Sequence, residues 1–125
     1  MSTLSVIDGA ISGSQVRVYQ GTANLASTPA NLDRVELCMG EAGTVKNFCV
    51  EVVANALPGP TLFEVLKNGA PVISHLVAPG PPASYGPSGS VAVAAGDKIA
   101  FRATAPAAVP VLGMRFTASA EFTVP

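Results

Sequence analysis

The side chains able to do chemistry are one histidine, His75, two cysteines, Cys38 and Cys49, and eight carboxylates. His75 is the only histidine, and a general base needs a partner such as a nearby Ser or Asp to orient it. No signature in the chain supplies one. The carboxylates are Asp8, Asp33, Glu36, Glu41, Glu51, Glu64, Asp97 and Glu121. They are dispersed and form no Asp-x-Asp-x-Asp-Gly loop for calcium. Cys38, Cys49 and His75 supply three zinc-type ligands in number, but their spacing fits no metal pattern. Gly40-Glu41-Ala42-Gly43 has the look of a phosphate loop, yet it lacks the Gly-Lys-Ser/Thr ending and the following helix. A turn between strands is the simpler expectation there. Tyr85, in a Pro/Gly-rich stretch, is a candidate platform for a sugar, or an anchor holding that loop against its own domain. We therefore expect no catalytic residues, no cofactor, no metal and no small-molecule substrate: a protein that is not an enzyme.

Composition narrows the partners. Charged residues are 12% of the chain and apolar ones 49%, with a formal net charge of −1. The seven cations, Arg17, Arg34, Lys46, Lys67, Lys98, Arg102 and Arg115, stand singly, so no basic patch is expected to bind nucleic acid. No apolar run reaches 18 residues, and no transmembrane helix or membrane partner is expected. Met1-Ser2-Thr3-Leu4-Ser5 carries no basic leader, which points to a cytoplasmic origin. In such a compartment Cys38 and Cys49 read as reduced thiols, the alternative being a bond between adjacent strands. So few charges on a small domain suggest a surface partly covered by other subunits.

The elements that position these residues read as strands. Met114, Phe116, Ala118, Ala120, Phe122 and Val124 alternate with Arg115, Thr117, Ser119, Glu121 and Thr123, which separates a buried from a wetted face. Ile99, Phe101 and Ala103 alternate with Lys98, Arg102 and Thr104. Val16 and Val18 alternate with Gln15, Arg17 and Tyr19, and Val35, Leu37 and Met39 with Arg34, Glu36 and Cys38. Phe48, Val50 and Val52 oppose Asn47, Cys49 and Glu51. Asn68-Gly69 between Phe63–Lys67 and Val72–Leu76 predicts a hairpin with a type I′ turn, and Gly96-Asp97 separates two further strands. Pro58-Gly59-Pro60 and the run from Pro79 to Pro87 predict loops, and residues 21–33 a long surface excursion. The expected fold is all-β: an antiparallel β-sandwich, jelly-roll-like, of about eight or nine strands. Residues 1–13 read as an N-terminal arm or a first edge strand, and 14–125 as one domain.

Three stretches carry a resemblance: Ala42-Gly43-Thr44-Val45-Lys46-Asn47-Phe48-Cys49-Val50, Phe63-Glu64-Val65-Leu66-Lys67-Asn68-Gly69, and Val91-Ala92-Val93-Ala94-Ala95-Gly96-Asp97-Lys98-Ile99. Over residues 34–104 the chain resembles small jelly-roll domains of phage virion proteins, with the plan of the trimeric C1q/tumour-necrosis-factor-like fold. The resemblance implies self-association, often as a homotrimer, and a place on the virion surface after assembly in the host cytoplasm. It implies a capsid decoration (cement) protein whose partner is the major capsid protein. The alternative is the receptor- or glycan-binding tip of a phage tail fibre. It carries over no catalytic residues.

Overall fold

A β-strand pattern of alternate buried side chains needs a second apolar layer to close against, and here two antiparallel sheets supply it. The computed structural model describes residues 2–12, 16–19, 26–27, 36–86, 89–107 and 113–125. Among these residues no helix occurs, and eleven strand segments form an antiparallel β-sandwich. They are β1 (Ser2–Ser12), β2 (Val16–Tyr19), β3 (Ala26–Ser27), β4 (Leu37–Cys38), β5 (Gly43–Asn55) and β6 (Thr61–Lys67). After these come β7 (Ala70–Val77), β8 (Ser84–Tyr85), β9 (Ser90–Val93), β10 (Lys98–Thr104) and β11 (Gly113–Thr123).

The first sheet has the order β1-β11-β5-β8, with β9 also on β5. The second has the order β3-β2-β10-β6-β7, with β4 also on β10. β9 pairs Gly43–Lys46 and β8 pairs Val50 and Glu51, so the two follow each other along one edge of β5. In the same way β4 pairs Lys98 and Ile99 while β2 pairs Phe101–Thr104. Two of the segments thus extend a neighbour's position rather than adding a new one.

Residues 114–122 behave as their alternation predicts. Met114, Phe116, Ala118, Ala120 and Phe122 are buried, and Val124, beyond the end of β11, is exposed. Ile99, Phe101 and Ala103 are buried on β10, as are Phe48, Val50 and Val52 on β5. The β5 pattern slips by one residue at Asn47, whose φ of 55° opens a bulge opposite β11, so that Val45 and Phe48 both reach the core. Two aromatic pairs bridge the sheets. Phe63 meets Phe116 edge-on with centroids 4.7 Å apart, and Phe48 stacks on Phe101 at 5.9 Å.

The second sheet departs from simple alternation. Leu66 and Ala100 are cross-strand partners on the face turned away from the main core, yet each is only 1% exposed. The centre of this sheet is therefore covered on both sides, which is why the consecutive residues Phe63 to Leu66 are all buried. Glu64 lies on that outer face opposite Arg102, and the Arg102 Nε donates to the Glu64 carboxylate at 2.8 Å.

Asn68 and Gly69 have φ of 53° and 83°, the positive values a two-residue hairpin turn requires. The stretch expected as one loop from Pro79 to Pro87 contains the short strand β8; Pro87 lies outside the described residues. Arg34 and Val35 also lie outside them, as does the 21–33 excursion apart from Ala26–Ser27. Within Val16–Tyr19 only the backbone is described. Ser2–Ser12 is a strand paired along β11 from Phe122 to Gly113, with a register shift between Val6 and Gly9.

Candidate interaction surface

The residues singled out for chemistry are held apart by the fold. Cys38 lies on β4 and is exposed, while Cys49 lies on β5 in the other sheet and is partly buried; both are free thiols. Their strands are not neighbours, so the adjacent-strand bond considered above has no geometry to form in. Among the described residues no group of three or more His, Cys, Asp or Glu side chains could hold a metal ion.

His75 faces inward from β7, opposite Phe63 on β6. Its Nε2 is buried with no hydrogen-bond partner among the described residues, and its ring lies 5.2 Å from that of Tyr85. Thr61, two residues before Phe63 and on the same side of β6, also holds a buried hydroxyl with no partner among them. Tyr85 packs on the core cluster as well. The His75–Tyr85 contact therefore joins the last strand of one sheet to the last of the other. It closes the side of the sandwich and turns the Tyr85 ring to an internal use, the anchoring role weighed above. Ala83, just before β8, receives a hydrogen bond from the Val52 N–H at 2.8 Å, which ties the proline loop down at its end.

Gly43 has a packing role. A Cβ there would fall on the Thr123 carbonyl oxygen and within 2.7 Å of the Phe122 ring, so only glycine lets β11 approach so closely. Gly40, by contrast, has open space around it.

At one end of the sandwich three turns are tied through Asp97. Its carboxylate accepts from the Ala94 N–H at 2.8 Å and from the Asn68 amide at 3.0 Å. The Asn68 carbonyl oxygen in turn accepts from the Lys98 N–H at 2.9 Å. Backbone bonds run from Met39 N–H to Asp97 O and from Gly96 N–H to Met39 O, so residues 39, 68 and 97 form one network. The Lys67 ammonium stands 3.8 Å from Asp97 and donates to the Ala92 carbonyl. The Ala94 N–H first, then the Asn68 amide and the Lys67 charge, hold the Asp97 carboxyl below its ordinary value, against the opposing effect of burial. The hairpin-turn residues read from sequence are all here; their mutual bonding joins residues about thirty positions apart and has no local signal.

The outer face of β11 is polar. Arg115, Thr117, Ser119, Glu121 and Thr123 line it, and Cys49 stands opposite Ser119. The large apolar side chains exposed among the described residues are Val53, Val72, Leu76 and Val124. Val53 sits at a register shift of β5, Val124 lies past the last strand, and Val72 and Leu76 share β7. No family model matches the chain, and no curated protein is similar to it at a significant level.

Proposed function

We propose that this is a non-enzymatic structural protein of a phage virion, a capsid decoration protein that binds and stabilises the assembled major capsid lattice. The strand order carries the reading. With β1 beside β11 in one sheet, and β2 and β4 beside β10 in the other, we read the sandwich as a jelly roll, the fold the sequence resemblance implies. The low charge fraction, 12% of the chain, suits a surface that packs against protein, where charged residues are depleted.

The mechanism is mass action. A protein that binds only the assembled lattice stabilises it by its own binding free energy, repeated over every site. Contacts would come from strand edges, from the N-terminal segment and from the exposed proline loop around Pro79–Pro82. Mixing the purified chain with heads stripped of their decoration tests this. Saturable binding and a higher melting temperature of the heads are expected; heads that bind none and melt unchanged would end the proposal. A glycan-binding tail tip is the weaker reading, because the Tyr85 ring that would offer the platform is packed against His75 and the core. Strong binding of the isolated protein to defined sugars on an array would reverse that preference.

A further inference from the structure

The free edges of the two sheets are unlike one another. Among the described residues β3 offers two, and β8 and β9 offer a short, interrupted edge. β1 is long but shifts register between Val6 and Gly9 and carries Asp8. Bulges, charges and brevity are the usual means by which an edge avoids pairing with another chain. β7 is different. It ends its sheet, pairs only with β6 among the described strands, and runs for eight residues. It holds no Lys, Arg, Asp or Glu. Its ionisable residue, His75, points inward to Tyr85. The devices it does have, Pro71 and the register shift that leaves Val72 without a partner on β6, lie at the turn end, and Ile73–Val77 run in regular register with no such guard. On the outer face Val72 is 38% and Leu76 58% exposed, with Ser74 exposed between them.

Along an antiparallel ladder every second residue directs its N–H and C=O away from its partner strand, so an edge can be completed only by another extended backbone. The sequence of β7 is suited to its own copy. In an antiparallel pair about a two-fold axis through Ser74, Val72 of each copy, at the bulged end of the strand, comes against Leu76 of the other on the outer face. Ile73 stands opposite His75, and Ser74 opposite Ser74. Shifting the axis to His75 sets Leu76 against Ser74, and shifting it to Ile73 sets Val72 against Ser74; either loses both outer-face apolar matches. No charge is brought near a like charge in the Ser74 register, and the net charge of −1 adds little repulsion between copies.

We propose that β7 is a self-association edge: two copies pair their β7 strands antiparallel about Ser74 and join their sheets into one. This goes beyond the capsid reading and does not depend on it. It also differs from the three-fold assembly that the resemblance implies, since a strand paired with its own copy generates a closed two-fold dimer.

The test uses the full chain. Sedimentation across a micromolar-to-millimolar dilution series is expected to show a monomer–dimer equilibrium. Leu76→Lys and Val72→Lys, each at an exposed site, should raise the midpoint concentration about tenfold or more, by placing charge in the pair and removing the apolar match. Circular dichroism and melting of each variant check that the fold persists. Register is read by oxidation of Ser74→Cys in a Cys38→Ser background. Paired residues stand about 4.5–5.5 Å apart between Cα atoms, within reach of a disulfide, so covalent dimers should form well above a Ser90→Cys control on β9. A chain that stays monomeric throughout would overturn the proposal. So would an assembly indifferent to both lysine variants, or Ser74→Cys cross-linking no better than the control.

Discussion

Asp97 accepts two hydrogen bonds and faces Lys67, which together favour its charged form in the folded chain. Its carboxyl is held low in the fold, while the unfolded chain takes up the proton at the ordinary carboxylate value, near pH 4. The stability it contributes is therefore fully present above that value and is lost as pH falls through the folded one. Asp97→Ala should melt below the parent at neutral pH, and the gap should narrow as the melts are repeated at lower pH. A gap that widens in acid would contradict this sign. Glu64 poses a different balance, because it is only 5% exposed and depends on Arg102. Arg102→Leu should cost about 2 kcal/mol, less than for a fully buried pair because the Arg102 side chain is 27% exposed. Replacing both residues by leucine should recover much of that loss in denaturant titration, since no charge is then left buried alone.

At the scale of elements, strands β5 and β11 come together because Gly43 has no side chain. Gly43→Ala would press a methyl group onto the Thr123 carbonyl and the Phe122 ring. Backbone cannot rotate aside as a flexible side chain does, so the end of β11 must shift, at about 1–3 kcal/mol by chemical denaturation. The same substitution at Gly40, which has open space around it, should cost far less. The hairpin of β6 and β7 was legible in Asn68-Gly69, since few residues adopt the positive φ that this turn needs. β8 was not legible: two residues among prolines carry no period, and Ser84–Tyr85 is a strand only because β5 offers it a partner. The bulge at Asn47 was equally hidden, because it shows only in a change of facing across Val45 and Phe48.

The whole molecule is built from distant pairings. β1 at one end of the chain lies along β11 at the other, and β10 brings β2 and β6 together. Closing such loops costs entropy before the contacts compensate, so folding should be slow for this size, in the range of about milliseconds to seconds. Stopped-flow circular dichroism from denaturant would measure it; a relaxation within microseconds would show that local contacts dominate. Removing residues 113–125 should abolish the cooperative transition altogether, because β11 is the strand that joins β1 to β5.

The sequence by itself determined the all-β class of fold and the facing of β10, of β11 and of Phe48 to Val52 on β5. Period-two burial is a local property, and Met114 to Phe122 or Ile99 to Ala103 display it without reference to the rest of the chain. It also determined the sharp turns, whose backbone angles restrict the residues they accept. Only the tertiary structure decided how the chemistry-bearing side chains are used. It set Cys38 and Cys49 in separate sheets, turned His75 inward onto Tyr85, and gathered Asn68 and Asp97 into one network. It also decided which strand was left at an open edge. Each of these depends on strand order, and strand order is fixed by how two whole sheets bury their apolar faces together, which no local window of sequence contains.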